Sequence, residues 1–239
     1  MAKSTGFYRD VRAVIFALGD TIFYEASRLG AFMGAVFHAI GRDAPADDFR
    51  QFAGLSREAT IDLLRERFGQ EIDAERVWDA YSRAFKRRRE IYGINLRPGV
   101  RELLAYLRET NRKAAVSTNL RREDAEEMLK AVGLLESNGS PVFDAIVCVD
   151  DEEVKLRPKP QPILHIKTCE QLSMHPVGCL ALEDCYGGVQ GALQAGLRAA
   201  LVTGGRSSLS PNANGNGGAY LTVETLLEVL QSLKEEDLR

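Results

Sequence analysis

The chain has 239 residues, 45% hydrophobic and 27% charged, with a formal net charge of −3. This is the composition expected of an ordinary soluble protein, long enough for one core with an insertion and too long for a minimal domain. The balance of charge gives no reason to expect a nucleic-acid partner, and no apolar run reaches the roughly 18 residues of a membrane span.

The first apolar run, near residues 12–17, is β-branched and aromatic and closes on a small polar turn, Ala17-Leu18-Gly19-Asp20-Thr21. That is the pattern of a buried strand delivering a loop to a site, and no signal-peptide pattern comes before it. From Glu25 to Glu90 the pattern is helical without interruption, too long for an ordinary crossover between strands. It is therefore expected to be a separate helical cap, residues 23–93, inserted into a core of residues 1–22 and 94–239. The basic cluster Lys86-Arg87-Arg88-Arg89 continues the helical pattern and reads as a solvated face.

Arg97-Pro98-Gly99-Val100 is a Pro-Gly turn that marks the return from cap to core and opens a helix over 100–109. Further strands are expected near 113–117, 144–149, 178–182 and 198–202, with amphipathic helices between them. Such alternation predicts an α/β fold, a Rossmann-like parallel sheet with helices on both faces. The second strand ends in Ser117-Thr118-Asn119, which by itself reads as a strand end with a helix N-cap before the charged run Arg121 to Glu127. Lys159-Pro160-Gln161-Pro162 places a lysine between prolines that pre-set the backbone. The fourth strand runs into Glu183-Asp184-Cys185-Tyr186-Gly187-Gly188, an acidic pair followed by a glycine turn into a helix. Gly205 to Gly218, rich in Ser, Asn and Pro, reads as a flexible surface loop, and Lys234 to Asp237 as a frayed helix end.

Taken together, the first strand and loop, the Ser117-Thr118-Asn119 strand end, Lys159 and the Glu183-Asp184 pair resemble the haloacid-dehalogenase superfamily. The resemblance extends to its helical-cap branch, which includes phosphoglycolate phosphatases and β-phosphoglucomutases, and covers nearly the whole chain. The resemblance implies phosphate binding by Thr118, Asn119 and Lys159, and magnesium binding by Glu183 and Asp184. It also implies a cap residue, Arg57 in Gly54-Leu55-Ser56-Arg57-Glu58, that meets the distal anion of a substrate.

The first motif departs from the family. Its pattern is Asp-x-Asp-Gly-Thr, and here those positions read Ala-Leu-Gly-Asp-Thr. Ala17 stands where the family has its nucleophile and metal ligand, and Gly19 where it has its acid–base carboxylate. A methyl group cannot attack phosphorus, and glycine has no proton to pass. No catalytic residue is assigned. Asp20 is the one candidate to replace the lost carboxylates, against a plain reading as a solvated turn aspartate.

With one carboxylate gone from the ion's shell, magnesium is expected to bind weakly or not at all. The expectation is thus a degenerate hydrolase that keeps an anion pocket for a phosphorylated small molecule or serves a protein partner in binding or scaffolding. The alternative is an active magnesium-dependent phosphatase or phosphosugar hydrolase that uses Asp20. The four cysteines lack metal-knuckle spacing and fit free thiols in a reducing cytoplasm. Cys185, beside the acidic pair, is expected to pack and not to act as a nucleophile.

Overall fold

Ala13, Val14, Ile15 and Phe16 offer no polar face, and the structure buries all four as strand β1 (Ala13–Phe16) at the centre of a parallel sheet. The computed structural model describes residues 6–24, 28–41, 52, 57–155, 157–204 and 220–239. The expected loop over 205–218 and the segment Gly54-Leu55-Ser56 lie outside these residues.

Among the described residues the sheet has six strands. On one side of β1 lie β2 (Lys113–Thr118) and then β5 (Ala145–Cys148). On the other lie β6 (Cys179–Glu183), β7 (Arg198–Val202) and β8 (Leu221–Val223). Every pairing is parallel. Strand β8 is an addition to the sequence reading, as is the two-stranded hairpin of β3 (Glu136–Ser137) and β4 (Ser140–Pro141).

Near-continuous apolar strands require cover on both faces. Helix α7 (Ile163–Leu172) packs on β2 and β5, and α8 (Tyr186–Gln194) on β6 and β7. Their Cys169, Leu172, Val189 and Ala192 share one buried cluster with Ile15, Ala115, Ala181 and Ala199 of the strands. Helices α5 (Val100–Glu109) and α9 (Leu226–Asp237) pack together, and α5 also packs on β2. Thr225 and Glu228 close a reciprocal capping box at the start of α9. The remaining core helix, α6 (Arg122–Ala131), is capped from outside its own sequence: Asp150 Oδ1 accepts the Arg122 amide at 2.9 Å.

The chain divides into two compact units, one of residues 1–24 and 96–239 that holds this sheet, the other of residues 25–95. The second unit comprises α2 (Arg28–Ile40), α3 (Arg57–Phe68) and α4 (Ala74–Tyr92). The helical region is not continuous, because the chain turns at Gly69 and restarts with Asp73 capping α4. Phe32, Val36, Phe52, Ile61, Leu64, Val77 and Tyr81 form this unit's own core, with the Phe32 and Tyr81 rings edge to face at 5.3 Å. Among the described residues no helix is long and apolar enough to cross a membrane.

Candidate functional site

Register brings the carboxyl ends of three strands level. Phe16 pairs with both Val116 and Leu182, so Ala17, Ser117 and Glu183 stand side by side one residue further on. The sheet also changes direction here, since the chain passes from β1 to β2 on one side and later to β6 on the other. In open parallel sheets such a switch point is where ligands bind. The Ala17 amide donates to the Leu182 carbonyl at 2.8 Å, which pins the first loop against β6 before a single helical turn, α1 (Gly19–Ile22).

Asp20 is not a solvated turn residue. It is 7% exposed, and its Oδ1 lies 2.5 Å from Arg97 Nη2. Arg97 Nε also donates to the Asp20 carbonyl, and the guanidinium lies over the Tyr24 ring, 5.3 Å from its centroid. Gly204 makes room for this arginine, because a Cβ there would collide with Nη1. The Asp20 amide in turn donates to Asp184 Oδ2 at 3.2 Å. Burial of an ion pair is tolerated only when both charges keep close partners, and Asp20 and Arg97 meet that condition through each other. The sequence carried one overlooked sign of this, an arginine placed directly before the Pro98-Gly99 turn.

Thr118, Asn119 and Lys159 come together at the end of β2. Lys159 is almost wholly buried; its Nζ donates to the Ser117 carbonyl at 2.8 Å, and its amide donates to Asn119 Oδ1 at 2.9 Å. Thr118 Oγ1 accepts the Leu120 amide at 3.1 Å, which shapes the loop. Neither Thr118 nor Asn119 caps α6, the role that the local pattern suggested, since Asp150 does so.

The Lys159 ammonium has a second partner, Glu183 Oε1 at 2.6 Å, and His165 Nε2 lies 3.2 Å from that same oxygen. All three side chains are buried. Burial would raise the Glu183 carboxyl, but Lys159 and His165 outweigh it and hold the group below the ordinary carboxylate range. Burial first, and Lys159 second, keep His165 below its usual value and so neutral. Gly188 completes the arrangement, since a Cβ there would strike Glu183 Oε2. His165, which no local pattern singles out, thus belongs to the site.

The group with ligand atoms close enough for a metal among the described residues is Glu183, Asp184 and Cys185, all within 4.8 Å of one another. Cys185 caps α8, its Sγ accepting the Gly188 amide at 3.4 Å, and burial pushes its thiol up to about 12. A neutral thiol is a poor ligand for a hard cation, Ala17 offers no ligand atom, and Glu183 is held by Lys159 and His165. The residues present do not fit magnesium. In the second unit, Arg57 is exposed at the start of α3 and forms an ion pair with Glu75.

Three comparisons place this arrangement among known proteins. The family of haloacid dehalogenase-like hydrolases matches over residues 14–202. Among curated proteins, the chain is 29% identical over 204 residues to Protein SUPPRESSOR OF QUENCHING 1, chloroplastic, of Arabidopsis thaliana; this is 83% of the chain but 18% of the plant protein. It is 26% identical over 222 residues to N-acetylmuramic acid 6-phosphate phosphatase of Pseudomonas putida, covering 92% of the chain and 94% of that enzyme. Among solved structures, a hydrolase from Pseudomonas syringae superposes with a TM-score of 0.74 at 24% identity, over 94% of this chain and 98% of that one, a likeness of fold.

Proposed function

Because the chain belongs to the haloacid dehalogenase-like hydrolases, we propose that it is a non-hydrolytic member that binds a phosphorylated small molecule at the carboxyl ends of β1, β2 and β6. The observation that carries this reading is the partnering around Ala17. Where a carboxylate nucleophile would stand there is a methyl group, and the nearby acids Asp20 and Glu183 are matched by Arg97 and Lys159. A carboxylate held by a buried guanidinium is poorly placed to attack phosphorus or to collect a proton, and losing a covalent nucleophile typically costs on the order of 10³-fold or more in rate.

The phosphate-binding half is intact in kind. Lys159 brings a fixed positive charge, Thr118 a hydroxyl and Asn119 an amide to the end of β2, and a phosphoryl group suits that set. Relatives such as the N-acetylmuramic acid 6-phosphate phosphatase favour phosphosugars as the ligand class. Arg57 is the residue in the helical insertion, the cap of this reading, that we assign to a distal anion. Magnesium has no part in this binding, for the reasons of ligand chemistry given above.

The test is calorimetry with a panel of phosphosugars in chelator, alongside hydrolysis of the same panel and of an aryl phosphate with magnesium. The expected result is binding without turnover, weakened at least tenfold by Lys159→Ala. Turnover comparable to that of an active relative, abolished by Asp20→Asn, would overturn the proposal and make Asp20 catalytic.

A further inference from the structure

Cys169 lies on α7 four residues after His165, and Cys179 opens β6, the strand that ends at Glu183. Residues four apart on a helix share a face, as do residues four apart on a strand. The facing surfaces of α7 and β6 therefore meet at two places. At one, His165 Nε2 is 3.2 Å from Glu183 Oε1; at the other, Cys169 Sγ is 3.7 Å from Cys179 Sγ. Both thiols are free and buried, and both belong to the core cluster that also holds Ala13, Ile15 and Ala181.

We propose that Cys169 and Cys179 are a redox-modification site, a dithiol that closes to an intramolecular disulfide by exchange with a low-molecular-weight disulfide and staples α7 to β6. The sulfurs need only approach by about 1.6 Å to reach bonding distance. Cys169 donates its thiol hydrogen to Cys179, and this contact draws the Cys179 thiol below its usual range while Cys169 is raised. Cys179, which adjoins a surface turn, is taken as the sulfur that attacks. Both sulfurs are buried, and Cys179 follows the short turn Pro176–Gly178, whose Val177 is 58% exposed, so the reaction requires that surface turn to open.

The chemistry balances in two exchanges. The Cys179 thiolate attacks one sulfur of the external disulfide and expels one external thiolate. The Cys169 thiolate then attacks Cys179 in the mixed disulfide and expels the second. The protein loses two protons and two electrons, and the external disulfide is reduced to two thiols. Cys148 and Cys185 have no thiol neighbour among the described residues and stay as thiols.

The experiment treats the folded full chain with oxidised glutathione, blocks remaining thiols with an alkylating reagent, and digests with a glutamyl endopeptidase. Cleavage after Glu170 and Glu183 separates Cys169, Cys179 and Cys185, which trypsin leaves in one peptide. The expected result is a linked Cys169–Cys179 pair in a protein lighter by two hydrogens, with Cys148 and Cys185 alkylated and a melting temperature raised by several degrees. In Cys169→Ala the expected product is a trapped glutathione adduct on Cys179. A different linkage, a lasting adduct on the native sequence, or oxidation only of the urea-unfolded chain would each overturn the proposal. The mapping of the native sequence decides even if the variant fails to fold.

Discussion

Lys159→Met keeps the aliphatic stem of the buried lysine and removes only its charge and donors. Two acceptors then lose their partner, Glu183 Oε1 at 2.6 Å and the Ser117 carbonyl at 2.8 Å. Removing one member of a buried ion pair costs about 3–5 kcal/mol, because the other charge is left unmatched. A protein of this length loses about 2–4 °C of melting temperature per kcal/mol, so the expected drop is on the order of 10 °C.

His165 adds a signature in pH. In the native sequence the neutral, depressed histidine contributes stability that is present above its unfolded value of about 6.5 and is lost as pH falls below it. Without Lys159, the second of the two causes that depress His165 is gone while the Glu183 carboxylate remains beside it, so the pair takes up a proton more readily in the folded state and less stability is lost as pH falls. The deficit of Lys159→Met should therefore narrow between pH 8 and pH 5.5, and adding Glu183→Gln should recover part of it at pH 8. Guanidinium unfolding followed by far-UV circular dichroism is the assay, since the one tryptophan, Trp78, reports on the helical unit. A deficit under about 1 kcal/mol, or one independent of pH, would refute the assignment of Glu183 as a carboxylate sustained by Lys159.

Other substitutions probe the same cluster from different sides. His165→Gln, which keeps a donor but cannot titrate, should flatten the pH dependence of native stability between about pH 6.5 and 5, measured by chemical denaturation across that range. Gly188→Ala gains helix propensity of roughly 1 kcal/mol, yet should lower stability overall because its Cβ meets the Glu183 carboxylate; a higher melting temperature would contradict that packing. Asp20→Asn leaves Arg97 buried without a counter-charge and should cost about 3–5 kcal/mol. Adding Arg97→Leu should restore much of that loss in a double-mutant cycle. Cys185→Ser puts a stronger acceptor at the N-cap of α8 and should raise stability by about 0.5–1 kcal/mol by thermal denaturation.

The strands, the acidic pair and Lys159 were legible in the sequence because each is a local pattern. An apolar run ends in a hydroxyl residue, a lysine sits between prolines, and two acids stand at a strand end before glycines. Strand β8 was not, since Leu221-Thr222-Val223 is three residues after a long polar loop and only its pairing with β7 makes it a strand. The partners that decide the character of the site are long-range. Arg97 reaches back 77 residues to Asp20, and His165 meets Glu183 across a helix–strand packing. Nothing local in Ala17-Leu18-Gly19-Asp20 says that the aspartate is buried, because the arginine that pairs with it comes 77 residues later in the chain.

The two unforeseen partners bear on one another. If only the first motif had changed, restoring its acids through Ala17→Asp, Gly19→Asp and Asp20→Gly would be enough to rebuild a hydrolase. Arg97 now stands against Asp20, and Gly204 is shaped to admit it, so Asp20→Gly would leave a buried guanidinium without its carboxylate. Lys159 is already committed to Glu183, and a new carboxylate at residue 17 would compete for that ammonium instead of finding it free. The restored triple variant is therefore expected to lose stability and gain no phosphatase activity until Arg97 is also replaced. Full activity from the triple variant alone would mean that the pairings of Arg97 with Asp20 and of Lys159 with Glu183 are incidental to the altered first motif.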